Sequence, residues 1–139
     1  MNRPLLAAAL AVAVGAPVAA AASVVVIQER QALMKSLGES MQAIQRVVQA
    51  GGPAAEAAAP ARVVAERAPQ VKTLFPPGSD QGAPTRALPA IWSDRAGFER
   101  YADTLATQAS ALLAATQGSD TAALGRALQA IGETCGGCH

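Results

Sequence analysis

"SDTAALGRALQAIGETCGGCH" closes the sequence, residues 119–139. Leu124, Leu128, Ile131 and Cys135 step by 4, 3 and 4 within it, the repeat of one helix face. Ser119 and Asp120 precede the run as N-cap residues. Extending the seam by three and by four reaches Cys138 and His139. Both cysteines and the single histidine of the 139 residues therefore fall in the last turns of one helix. A segment of this kind must bury its apolar stripe against other helices, and the rest of the chain supplies them.

Working backwards, Phe98, Ala102, Leu105, Ala109 and Leu112 step by 4, 3, 4 and 3, with Ser93 as the expected cap and Gly118 as the stop. "PPGSDQGAPTRALP" (residues 76–89) is a long loop by composition. Before it, Ala57, Ala61, Val64, Ala68, Val71 and Phe75 keep the helical repeat. Pro60 fits the first turn of that segment, whereas Pro69 predicts a kink. The first helix is expected over residues 24–50, with Ile27, Met34, Leu37, Met41, Ile44 and Val48 inward and "GGP" at residues 51–53 ending it. Four amphipathic segments, with short first and third connections and a longer second one, predict an all-α antiparallel four-helix bundle.

Composition agrees with this reading. Apolar residues make up 51% and aromatics only 3%, which favours closely packed helices over sheets. Eleven Lys and Arg against ten Asp and Glu give no charge excess that would point to nucleic acid. The N-terminus has its own pattern: Arg3, the apolar "LLAAALAVAV" at residues 5–14, then "APVAAAAS" with A-x-A cleavage sites near Ala20 to Ala22. Residues 1–22 are thus expected to be a cleaved export signal and residues 23–139 the mature bundle, periplasmic and without stable membrane insertion. The competing permanent anchor is disfavoured because Gly15 and Pro17 interrupt the run and its second half is alanine.

Cys135, Cys138 and His139 stand at i, i+3 and i+4 and so share one helix face. C-x-x-C-H is the attachment motif of c-type haem: two thiols add to two vinyl groups while the adjacent imidazole reaches the iron. A disulfide across three residues would close too small a loop to stabilise much. A thioredoxin-like pair needs a βαβ context and a helix N-terminus, neither of which is present in this pattern. Zinc would find only three soft ligands where four are usual.

"RQALMKSLGESM" (residues 30–41), "LFPPGS" (74–79), "LPAIW" (88–92), Phe98 and the terminal "IGETCGGCH" together resemble the class II c-type cytochromes, the cytochrome c′ family of exported four-helix bundles. These stretches span essentially the whole mature chain in the family's order. Family members run on past the histidine, including a basic residue, whereas this sequence stops at His139. The resemblance implies one covalently attached haem c, with thioethers from Cys135 and Cys138 and His139 as proximal iron ligand. It places Arg30 and Gln31 beside the haem and its propionates, and Met34 on the distal side facing the iron. Trp92 is read as a packing residue and Arg86 as a second reach toward a propionate.

The first functional expectation is a carrier of single electrons with His139 and Met34 as the two metal ligands, in the manner of a low-spin subgroup with methionine at this place. A soft, neutral thioether favours the ferrous state and suits that role. The alternative is a five-coordinate haem that takes NO or CO as scavenger, carrier or sensor. An enzymatic role is not expected, because no second histidine and no carboxylate pair accompany the haem seam. Redox proteins are the expected partners, and homodimerisation, implied by the resemblance, would fall to the Ala-rich first helix.

Overall fold

The computed structural model describes residues 16–139, with side chains from residue 21 onward. Most of the expected export signal, residues 1–15, lies outside the described residues. Helix α1 spans Ala16–Ala50, α2 Ala58–Arg67, the single-turn α3 Ala90–Ser93, α4 Arg95–Ala115 and α5 Thr121–Cys138. Two 3₁₀ segments, Ala54–Ala57 and Ala68–Leu74, flank α2. Each long helix packs on two neighbours in the cyclic order α1, α2, α4, α5, which is the antiparallel four-helix bundle expected from the sequence. No strand occurs among the described residues, and no helix among them is long and apolar enough to cross a membrane.

Helix α1 is already helical ahead of residue 24 because the alanine-rich stretch has high helix propensity. Its C-terminus is a Schellman cap. Gly51 takes φ +64°, its N–H donates to Val48 O, and Gly52 N–H donates to Val47 O. The segment from Ala57 to Phe75 buries every residue of its expected stripe. Pro69 does more than kink it: the α-helix gives way to a 3₁₀ turn at Ala68, since proline has no N–H for the α-helical bond. Arg95 then closes that turn, donating from Nη1 to Phe75 O at 2.7 Å and from Nη2 to Lys72 O at 2.8 Å.

Three expected details change. Ser93 does not cap α4; it is the last residue of α3, and the cap falls to Asp94, whose carboxylate accepts from Gly97 N–H at 3.0 Å. Pro89 opens an extra helical turn that consumes Ser93 in its hydrogen bonding to Pro89 O, which shifts the cap by one residue. At the other end α4 stops at Ala115, before Gly118, where Thr116 Oγ1 donates to Leu113 O at 2.7 Å. The third change concerns the seams. In α1 the buried line is Ile27, Arg30, Leu33, Leu37, Ser40 and Ile44, while Met34, Met41 and Val48 sit half-buried on its flank. In α5, Thr134 rather than Cys135 continues the line of Leu124, Leu128 and Ile131 into the core. Its hydroxyl is satisfied there by donating to Gln108 Oε1 at 2.8 Å, and Cys135 is left facing out.

The cap assignment is directly testable. Replacing Asp94 by Ala should cost about 1 kcal/mol of stability, the usual loss for an N-cap carboxylate, whereas Ser93→Ala should stay within about 0.5 kcal/mol. Urea unfolding of the two variants, read by far-ultraviolet circular dichroism, distinguishes them.

Candidate functional site

The C-terminal turn of α5 remains helical to its end, since His139 N–H donates to Cys135 O at 3.0 Å. Cys135, Cys138 and His139 therefore project from one turn, and both thiols are free. Although each thiol keeps contact with solvent, neighbouring atoms desolvate its charged form. Burial, and then the proximity of Cys138, push the Cys135 thiol up, and burial alone does the same to Cys138. At neutral pH both are therefore protonated and weakly nucleophilic.

Cys138 and His139 open onto a cleft of about 700 Å³, within the range of cofactor pockets. Met34 and Phe75 form part of its lining, with Ile91, Phe98 and residues 84–88 completing the walls. Arg30 and Gln31 stand at its edge on α1. The structure thus brings Arg30, Gln31, Met34, Cys138 and His139 to one cavity, with Cys135 one helical turn before Cys138. A flat, largely apolar macrocycle with two vinyl groups fits this donor set: apolar and aromatic walls, a free thiol and an imidazole on one rim, and the second free thiol one turn earlier on the same helix. Leu88, 64% exposed, is an apolar side chain at that rim which such a group would cover.

Arg30, expected beside the haem and its propionates, lines the cleft and is held by protein groups. It is 3% exposed, donates from Nη1 to Ser79 Oγ at 3.0 Å and from Nη2 to Thr85 Oγ1 at 2.9 Å. Its guanidinium carbon lies 4.8 Å from the centre of the Phe75 ring and 6.0 Å from that of Trp92. Burial pushes its pKa down and nearby Asp80 opposes this, but an arginine stays charged under either influence. Beside it Gln31 Nε2 donates to Pro84 O at 3.0 Å. Both side chains tie α1 to the long loop.

An aromatic cluster supports that loop from below. Phe75 meets Phe98 edge-on at 4.9 Å and Trp92 at 6.3 Å, and Trp92 Nε1 donates to Pro76 O at 3.0 Å. Trp92 is the packing residue expected at this joint. Ser79 and Thr85 gave no signal in the sequence, because their partner lies on another helix and no short-range spacing encodes it. Tyr101 on α4 also went unread. Its ring covers Gly137, where a Cβ would fall 2.8 Å from Cε1 and 3.1 Å from the phenol oxygen.

Residues 25–139 match the family described as Cytochrome C′. The cytochrome c′ of Pararhodospirillum photometricum is 36% identical over 114 residues, covering 81% of this chain and 91% of the relative. The crystal structure of cytochrome c′ from Rubrivivax gelatinosus superposes with a TM-score of 0.76 at 34% identity, covering 82% of this chain and 91% of that one. A nitric oxide complex of a cytochrome c prime variant from Alcaligenes xylosoxidans matches with a TM-score of 0.72 at 26% identity, covering 82% of this chain and 90% of that chain. A carbon-monoxide-bound variant of the same protein matches equally well. A family match over nearly all the described residues, a relative above one-third identity and a shared bundle agree, and the chain belongs to the cytochrome c′ family.

Proposed function

We propose that this chain carries one haem c, fastened by thioethers from Cys135 and Cys138 with His139 on the iron, and that it binds NO or CO without turning over a substrate. The observation that carries this reading is the opening of Cys138 and His139 onto the same apolar cleft as Met34, Phe75 and Phe98. The bound haem would supply an iron able to take a diatomic ligand and to change between ferric and ferrous states. His139 would hold it from the α5 side, and the two thioethers would keep it in place permanently. Gas binding takes precedence over the electron-carrier expectation because variants of a solved relative of the same fold hold nitric oxide and carbon monoxide.

The polar groups of the cleft favour the same ligands. The Nη atoms of Arg30 are engaged by Ser79 and Thr85, and Gln31 Nε2 by Pro84 O. With one N–H of each of these nitrogens bound to the loop or to Ser79, Met34, Phe75 and Phe98 leave the rest of that lining largely apolar, which suits CO and NO better than O₂, a ligand that gains from hydrogen-bond donors. Met34 supports a second reading. Its flexible thioether lines the cleft that His139 also lines, so ligation of the iron by sulfur would give an electron carrier with a closed distal side. Location in the periplasm belongs to the proposal and rests on Arg3, the apolar residues 5–14 and the A-x-A pattern. Redox proteins as partners and homodimers belong to it as well.

Two measurements test the proposal. Acid–acetone treatment of the wild type should leave the pigment with the protein, while the Cys135→Ala/Cys138→Ala double variant should lose it. Fully extractable haem in the wild type would sink the covalent assignment. The second is a ferric and ferrous absorption spectrum with CO titration. High-spin spectra and ready CO binding are expected, with Met34→Leu changing CO affinity by less than about tenfold, since it exchanges one apolar side chain for another of similar volume. A low-spin wild type that takes CO only after Met34→Leu would transfer the function to electron transport.

A further inference from the structure

The long loop reaches the cleft as a strap with two differently built ends. Its base is fixed to α3 and α4: Trp92 Nε1 donates to Pro76 O, and Arg95 to Phe75 O. Its far part, residues 84–88, forms one wall of the cleft. That wall is tied to the bundle by Arg30 Nη2 to Thr85 Oγ1 at 2.9 Å and by the exposed bond from Gln31 Nε2 to Pro84 O. Thr85 Oγ1 also accepts from Ala87 N–H at 3.1 Å, so one hydroxyl oxygen both anchors the wall and shapes its turn. Arg30 is well suited to be the fixed point. It is held by Ser79 Oγ, which itself donates to Pro76 O at 2.8 Å, and by stacking on Phe75.

We propose that the Arg30–Thr85 hydrogen bond is a latch that holds the wall of residues 84–88 against α1, and that this latch sets how large a ligand reaches the interior of the cleft. Thr85 is then a specificity-determining residue through position, without touching the ligand. The physical basis is an asymmetry of strength. A hydrogen bond from a buried guanidinium is worth more than a neutral one, and the exposed Gln31 bond competes with water. With Thr85 silent, the wall keeps that weaker hydrogen bond and the packing of half-buried Ala87 on the core, and opens locally more often while the bundle stays folded. The ligand-size claim rests on the gas-binding reading, whereas the pinning of the wall does not.

The experiment uses the haem-loaded full chain, with Thr85→Val as the test and Thr85→Ser as the conservative control. Arg86 supplies an internal reporter, because it is exposed in the middle of the wall and trypsin cuts after arginine. Nicking after Arg86 should accelerate on the order of tenfold in Thr85→Val, as expected when a hydrogen bond to a charged group is lost, and stay at the wild-type rate in Thr85→Ser. In the ferrous protein, association of a bulky alkyl isocyanide should accelerate in Thr85→Val by a larger factor than association of CO. Equal nicking in wild type and Thr85→Val overturns the latch. So does a Thr85→Ser chain that nicks as fast as Thr85→Val, since packing of the methyl group would then be the cause. Faster nicking with both ligands binding at wild-type rates overturns the role in ligand size. A wild type that binds neither ligand refutes the gas-binding reading and the size claim built on it, while the nicking rates still decide the pinning of the wall.

Discussion

A charged guanidinium enclosed by protein has to find partners on every side, and Arg30 organises the haem-side end of this bundle by that requirement. Its charge cannot be removed by deprotonation, so burial is tolerable only where hydroxyls and aromatic faces replace water. Ser79 and Thr85 provide the hydroxyls, and Phe75 and Trp92 the faces. These groups come from three parts of the chain between α2 and α4. Satisfying one side chain therefore draws the end of the 3₁₀ segment, the long loop and the single-turn α3 to the same place. The cleft is the space left between that assembly and the last turn of α5.

The bundle was legible in the sequence because helix periodicity is a local signal. Four stripes, a Gly-Gly-Pro stop and the Asp120 cap could all be read within a few residues of each other, and the stripe from Ala57 to Phe75 is buried throughout. The terminal motif was legible for the same reason, since three residues on one turn carry their own geometry. What periodicity could not resolve was a rotation of about one residue. Leu33 and Met34 are adjacent apolar residues, and either completes a stripe. Tertiary packing puts Leu33 in the core and gives Met34 to the cleft. Thr134 and Cys135 divide in the same way, the threonine entering the core because Gln108 on α4 accepts its hydrogen bond. The partners of Arg30 were out of reach for another reason: they lie 49 and 55 residues away along the chain, in a segment whose composition reads only as loop.

The division of labour between helices follows from these rotations. Helix α5 turns its apolar line inward as far as Ile131 and Thr134, then presents its thiols and imidazole outside that line. Helix α1 does the converse, with a core line that includes a charged residue and a methionine displaced toward the cavity. Chemistry and packing thus use different faces of the same helices. Met34, Cys138 and His139, which line the cleft from outside those core lines, can change with less effect on the bundle than Arg30, Phe75 and Phe98, which belong to both.

The contact between Tyr101 and Gly137 has a consequence for how such sequences diverge. The ring occupies the volume in which any side chain at position 137 would begin, and that position lies between the two cysteines. An alanine or serine there is compatible with the bundle only once the ring has swung aside, which its 42% exposure permits, or has been replaced by something smaller. The spacer of the haem motif, chemically silent in itself, is thereby coupled to a residue on another helix. Among relatives of this chain, positions 101 and 137 are expected to vary as a pair, with bulk passing from one to the other across the α4–α5 contact.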